Sequence, residues 1–275
     1  MTTSSKLQDH DAEIARRFVD ARRSGRCLAA YPGEAPRDLA HAYRVQDRAI
    51  ALWGDAVAGW KIGLVQPQHR AAFGAERIAG PIFADTVQIN AQGGPFEFSV
   101  FDGGFAAVEA ELMFRIGADA PTDKRTWTPD EIAPFIEAVH IGVECAGSPF
   151  AEINEHGPGV TASDFGNNAG LLIGPEVRDW RALDMNLVTA QVRIDDDEVG
   201  RANAANIPGG PMAALVFIFE HAALRGKPLQ RGQWISTGAI TGVHEIAAGQ
   251  YAEADFGALG SISCSAVAFS PERAL

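Results

Sequence analysis

Glu109 and Glu111 stand two positions apart in VEAELMF, residues 108–114, a stretch otherwise built from apolar, strand-forming residues. Side chains alternate across a strand, so Val108, Ala110, Leu112, Phe114 and Ile116 line one face while the two carboxylates share the other. Two ionised carboxylates a few ångströms apart repel, and the remedies are exposure to water, a shared proton or a bound cation. Glu144 in HIGVEC, where Ile141 and Val143 alternate with charged or small residues, is a natural third carboxylate. Three carboxylates, with water or substrate completing an octahedron, suit Mg2+ or Mn2+ better than Zn2+. The competing reading is the wet face of an edge strand, with Arg115 pairing with one glutamate. Lys61, between Trp60 and Ile62 in GWKIGL, is either a snorkelling surface lysine or, if buried beside such a centre, a proton-transferring group with a depressed pKa.

These residues need a frame, and its pattern is legible. DAEIARRFVDARRSG places Ile14, Phe18 and Ala21 on one helical stripe that stops at Gly25. EAPRDLAHAYRVQDRAIALWG opens with Pro36 near the first helical position and closes at Gly54. From VAGWKIGL onward the runs turn strand-like: IFADTVQIN, FEFSVF, AAVEAELMFRI, VHIGVEC, AGLLIG, LVTAQVRID, QWISTGAI and GSISCSAVAFS. Two helices interrupt them. One follows the capping box formed by Thr128 and Glu131, and the other runs from near Pro211 to Gly226. The expected layout is α+β: a helical N-terminal cap over residues 1–75 and a mainly antiparallel core over residues 76–275. Strands separated by turns argue against a Rossmann or TIM-barrel fold.

Composition narrows the function. The 275 residues carry a formal charge of −12 and no Lys/Arg-rich run, which argues against nucleic acid and anionic membranes as partners. Cys27, Cys145 and Cys264 are scattered and form no zinc-ligand or disulfide framework. The polar start MTTSSKLQDH and the lack of any run of about 18 apolar residues point to the cytoplasm. His140 and His244 offer no rival metal scheme, because a lone strand histidine is usually a hydrogen-bonded structural residue. G-x-S-x-G, P-loop and dinucleotide motifs find no usable context.

The ordered set AYRVQDRAIALWGDAVAGWKIGL, IFADTV, VEAELMFRI, GVE, SDFGNNAGLLIG and STGAI resembles the 2-keto-4-pentenoate hydratase / 4-oxalocrotonate decarboxylase group of the fumarylacetoacetate hydrolase superfamily. The resemblance implies a β-roll core, Mg2+ or Mn2+ on Glu109, Glu111 and Glu144, and a homo-oligomer. It implies Lys61 and Asp85 as the catalytic pair, with Asp85 close to the lysine. It implies Asp164, Thr237 and Gly238 at a small anionic 2-oxo or 2-hydroxy acid substrate, the last two receiving its carboxylate. The reaction implied is hydration of a 2-hydroxy-2,4-dienoate to a 4-hydroxy-2-oxo acid. Decarboxylation, acylpyruvate C–C hydrolysis and non-catalytic small-acid binding are the alternatives. Two departures from the group bear on local hydrogen bonding and on substrate identity, respectively. Phe165 replaces an asparagine, with Asn167 or Asn168 near enough to supply an amide, and VQPQHRAAFG, with His69 and Arg70, replaces a T-S-K-A-M-Q-like stretch.

Overall fold

The computed structural model describes residues 3–270, with side chains from residue 9 onward. In chain order the elements are α1 (Thr3–Ser24), α2 (Leu39–Trp53), β1 (Val57–Leu64), α3 (Pro67–Phe73), β2 (Arg77–Phe83), β3 (Val87–Ile89), β4 (Phe96–Val100) and β5 (Phe105–Ile116). Then follow α4 (Pro129–Ile132), β6 (Ile136–Ser148), α5 (Pro158–Ser163), β7 (Asn168–Glu176), β8 (Thr189–Ile194) and β9 (Asp197–Asn203). The chain closes with α6 (Gly210–Leu224), β10 (Trp234–Ser236), β11 (His244–Glu245), β12 (Tyr251–Asp255) and β13 (Ser261–Ala268).

The strands form two sheets. The larger runs β2-β1-β10-β5-β6-β7-β3, with β11 also on β5; the smaller runs β4-β13-β12-β8-β9. Most pairings are antiparallel, and β1/β10, β3/β7 and β4/β13 are parallel. The α+β expectation holds. β1, which carries Lys61, is hydrogen-bonded inside the larger sheet, so the strand next after the two leading helices is part of the core.

Alternation on β5 fixes the architecture. Val108, Ala110, Leu112, Phe114 and Ile116 all lie in the main apolar cluster, with Val192 and Ile262 of the smaller sheet and Leu215 and Phe219 of α6. A one-residue slip would drive Glu109 and Glu111 into that layer, so the register is strongly specified. β5 is an interior strand, flanked by β10 and β11 on one side and β6 on the other. The wet-edge alternative therefore fails, and Arg115 pairs instead with Glu137 at 3.2 Å on the surface. On the opposite side of the sheet, Ile14, Phe18, Val45 and Ala49 of α1 and α2 pack against Phe83, Phe150, Ile153 and Phe165.

Several local expectations shift. α2 starts at Leu39, after Pro36, because the Asp38 side chain caps it by accepting from the His41 N–H at 2.7 Å. The Thr128 capping box is present, but α4 lasts four residues and gives way to a 3-10 turn through Pro134, which cannot donate the next helical hydrogen bond. IFADTVQIN is broken by a 3-10 turn at Ala84–Thr86. The short helices α3 and α5 and the strands β9, β11 and β12 carried too little periodicity to be read from the sequence. No helix among the described residues is long and apolar enough to cross a membrane.

Candidate metal centre

Glu109 on β5 is the direct cross-strand partner of Glu144 on β6, and Glu111 faces Gly142. Directly opposed residues share a face, so the three carboxylates converge. One oxygen from each lies within 4.8 Å of the others. Glu111 and Glu144 are fully buried and Glu109 is 6% exposed. Gly142 makes room for Met113 on this face, since a Cβ there would lie 2.3 Å from Met113 Cγ.

The cluster is only partly satisfied. Glu111 Oε2 accepts from Ser236 Oγ and from the Gly238 N–H at 2.8 Å, whereas Glu111 Oε1 has no partner. Glu144 Oε1 accepts from Asn168 Nδ2 and from Lys61 Nζ, both at 3.1 Å. Burial first, then the Glu144 charge, pushes the Glu109 carboxyl up to about 7, against the pull of Lys61. Burial and the charges of Glu144 and Glu109 push Glu111 well above the carboxylate range. Burial draws Lys61 down, but Glu144, Glu109 and Glu111 more than reverse it, so its pKa is raised and the expected depression is absent from the protein alone. Fully ionised, three carboxylates against one ammonium would leave two uncompensated negative charges, which is why the acids hold protons in the protein alone, and the donors are all oxygens. That donor set, with an orphaned buried oxygen, fits one hard divalent cation.

The loop after α5 holds Lys61 in place. Phe165, Gly166 and Asn167 take left-handed φ values of 55°, 64° and 57°. For the bulky Phe165 this costs roughly 1–2 kcal/mol. Burial against Phe83 and Trp53, with the Arg22 guanidinium 5.0 Å above its ring, offsets the cost. The loop presses on β2 at Gly80, where a Cβ would meet the Phe165 carbonyl at 2.0 Å. The Lys61 stem runs past Gly166, and Lys61 Nζ donates to Asn167 Oδ1 at 3.1 Å.

Lys61, Glu109, Glu111 and Glu144 are thus brought together, and the other candidates are placed differently. Asp85 is exposed in the turn after β2, with its backbone N–H bonded to Asp55, and forms no hydrogen bond or ion pair with Lys61. Phe83, anchored among aromatic rings, ends the strand and turns the chain outward, so the expected Lys61–Asp85 pair is not formed. Asp164 is buried, but its oxygens are taken by Arg22 at 2.6 and 3.0 Å and by Ser148 Oγ at 2.7 Å. The ion pair with Arg22 ties α1 to the loop. Thr237 Oγ1 donates to the Leu112 carbonyl at 3.0 Å, and the Gly238 N–H is spent on Glu111. Gly238 thus touches the centre, and neither donor is free for a substrate carboxylate. Arg70 donates to the Val65 carbonyl, and His69 packs edge-on to Phe73. His140 bonds the Gly174 carbonyl and His244 meets Thr241, both structural as expected.

Ser236, Arg22 and Asn154 were not singled out from the sequence. Ser236 lay in view, one residue before Thr237. Arg22 gave no signal, because a helix arginine reads as solvated and its partner lies 142 residues away.

No family model matches the chain. It is 27% identical over 256 residues to a 2-keto-4-pentenoate hydratase of Paraburkholderia xenovorans (strain LB400), covering 91% of this chain and 92% of that one. It is 24% identical over 281 residues to 2-keto-4-pentenoate hydratase 1 of Dechloromonas aromatica (strain RCB), covering 96% and 98%. Among solved structures, 4-oxalocrotonate decarboxylase from Pseudomonas putida G7, complexed with magnesium and adipate, superposes with a TM-score of 0.76 at 20% identity, covering 97% and 99%. Fumarylpyruvate hydrolase from Pseudomonas aeruginosa, in complex with Mn2+ and pyruvate, superposes at 0.57 with 15% identity, covering 76% and 89%. The chain shares the fold of these two enzymes. In sequence the chain is similar to 2-keto-4-pentenoate hydratases over more than nine-tenths of its length.

Proposed function

We propose that this chain is a metal-dependent hydratase that adds water to a 2-hydroxy-2,4-dienoate to give a 4-hydroxy-2-oxo acid. The observation that carries the proposal is the buried triad of Glu109, Glu111 and Glu144 beside Lys61, in a chain matching hydratases over nine-tenths of both lengths. Mg2+ or Mn2+ held by the triad would supply Lewis-acid stabilisation of negative charge developing on the substrate's carboxylate and C2 oxygen. With the carboxylate charges so compensated, burial would be left to lower Lys61 toward the working range. Lys61 would take the C2 hydroxyl proton and return one to C5, giving the 2-oxo-3-enoate. Water would then add with its oxygen to C4 and a proton to C3.

Arg22 and Lys61 are the buried cations among the described residues, and the Arg22 donors are spent on Asp164, Asn168 and Gly147. Among the described residues no second buried cation is left for a distal carboxylate. This favours a monocarboxylate over a dicarboxylate of the oxalocrotonate kind. On the same reading, residues 1–75 supply the helical cap together with β1, residues 76–275 complete the catalytic core, and Asp164, Thr237 and Gly238 shape the substrate side of the centre. Asp85 would have to reach the site by rearrangement to act there. The protein would work as a homo-oligomer in the cytoplasm, and three unpaired cysteines accord with a reducing compartment.

The test is to offer the protein and Mg2+ freshly generated 2-hydroxypenta-2,4-dienoate and, separately, 2-oxo-3-hexenedioate, following loss of the conjugated chromophore and release of CO2. The proposal expects 4-hydroxy-2-oxopentanoate from the first. CO2 from the second with no hydration of the first would make the protein a decarboxylase. Silence with both would point to an acylpyruvate substrate or to non-catalytic binding.

A further inference from the structure

We infer that Asn167 is the positioning residue for Lys61, and that Asn154, on the loop between β6 and α5, fixes Asn167 in turn; the catalytic consequence rests on the proton-transferring role proposed for Lys61. An ammonium has three N–H groups to place. One meets Glu144 Oε1 and another Asn167 Oδ1, each at 3.1 Å, which leaves the third for a substrate. Only the carbonyl oxygen of Asn167 can accept from an ammonium, so its amide nitrogen must face away. There it donates to Asn154 Oδ1 at 3.1 Å. The chain of bonds has one direction.

Asn167 is suited to this in two ways. Its φ of 57° is one that asparagine tolerates better than most residues. It is also a neutral acceptor beside a centre that already carries excess negative charge. A carboxylate there would deepen that excess, and an apolar side chain would leave the ammonium drawn toward the three glutamates. Asn154 is half-buried, and its neighbour Ile153 is fully buried in the cluster under α1 and α2. The segment is therefore anchored, and the relay gives it a hold on the orientation of Lys61.

The chain contains four lysines, so the Nζ resonance of Lys61 can be resolved in protein labelled with 15N-lysine and identified by its loss in Lys61→Met. Asn167→Gly accommodates the left-handed backbone and deletes the side chain that carries the amide. It should speed exchange of the Lys61 ammonium protons with water by about tenfold or more, leaving Mg2+ affinity within about threefold and the melting temperature within a few degrees. In turnover, kcat should fall about 30-fold or more with KM nearly unchanged. Asn154→Ala should speed exchange and lower kcat by a smaller factor of about 3–10, and the double variant should be no worse than Asn167→Gly, because the residues act in series. Unchanged exchange in Asn167→Gly would overturn the positioning role, and additive losses would overturn the relay. If Asn167→Gly does not fold, Asn154→Ala decides alone, and wild-type exchange in it would refute the inference. The exchange measurement needs no substrate, so a failure of the proposed hydration would be distinguishable from a failure of the relay.

Discussion

Glu109 and Glu144 face each other directly across the β5/β6 ladder, so the like-charge contact at the heart of the centre is built by strand register. Like charges directly opposed on a sheet are destabilising. With Glu111 two residues along the same face, the protein carries a cost that only a proton or a cation relieves.

Replacing Glu109 with Gln should therefore move two quantities in opposite directions. Mg2+ affinity should fall by about tenfold or more, because a neutral amide is a poorer ligand for a hard cation. At pH 8, where Glu109 is ionised, the metal-free protein should melt at a higher temperature than wild type, since one of the opposed charges is gone. Calorimetric titration and a thermal melt in chelator check the pair, and a variant with unchanged Mg2+ affinity would remove Glu109 from the centre.

Stability in the absence of metal should depend on pH with a definite sign. The Glu109 carboxyl sits at about 7 in the fold against an ordinary 4.5, so between these values the folded state holds more protons than the unfolded one. Stability is then fully present below about 4.5 and is lost as pH rises through about 7, by on the order of 3 kcal/mol. Glu111, raised well above its ordinary value, acts in the same direction. Saturating Mg2+ should abolish the decline, so the metal-induced rise in melting temperature should be larger at pH 8 than at pH 5.5. Equal shifts at the two pH values would contradict the assignment of the buried acids.

Lys61→Met should leave the metal affinity within a few-fold and remove turnover, lowering kcat and kcat/KM together by about 100-fold or more. Near-normal turnover of the dienoate by this variant would return Lys61 to a structural role.

The Arg22–Asp164 pair is buried at 5% and 0% side-chain exposure. Arg22→Met should cost about 3–5 kcal/mol, because it strands a carboxylate in the interior. Chemical denaturation measures this, and a loss under about 1 kcal/mol would show that Ser148 alone satisfies Asp164.

Legibility followed periodicity. The two-residue alternation through β5 set the apolar and acidic faces apart, and the spacings of Ile14 and Phe18 and of Leu215 and Phe219 marked helices that pack as the pattern requires. What escaped depends on contacts far apart in sequence. The turn that exposes Asp85 is set by aromatic packing on Phe83, and the burial of Asp164 by an arginine on α1. No single-residue signal announces three consecutive left-handed residues at 165–167, two of which are not glycine. The lysine and the asparagine it meets are 106 positions apart, and only the fold makes them neighbours.

The most direct measurement is a crystal structure of the protein soaked in Mn2+, with anomalous diffraction recorded at the manganese edge. One anomalous peak per subunit is expected, ligated by oxygens of Glu109, Glu111 and Glu144. No peak among these carboxylates at saturating Mn2+ would contradict it, and the acids would then be held by shared protons.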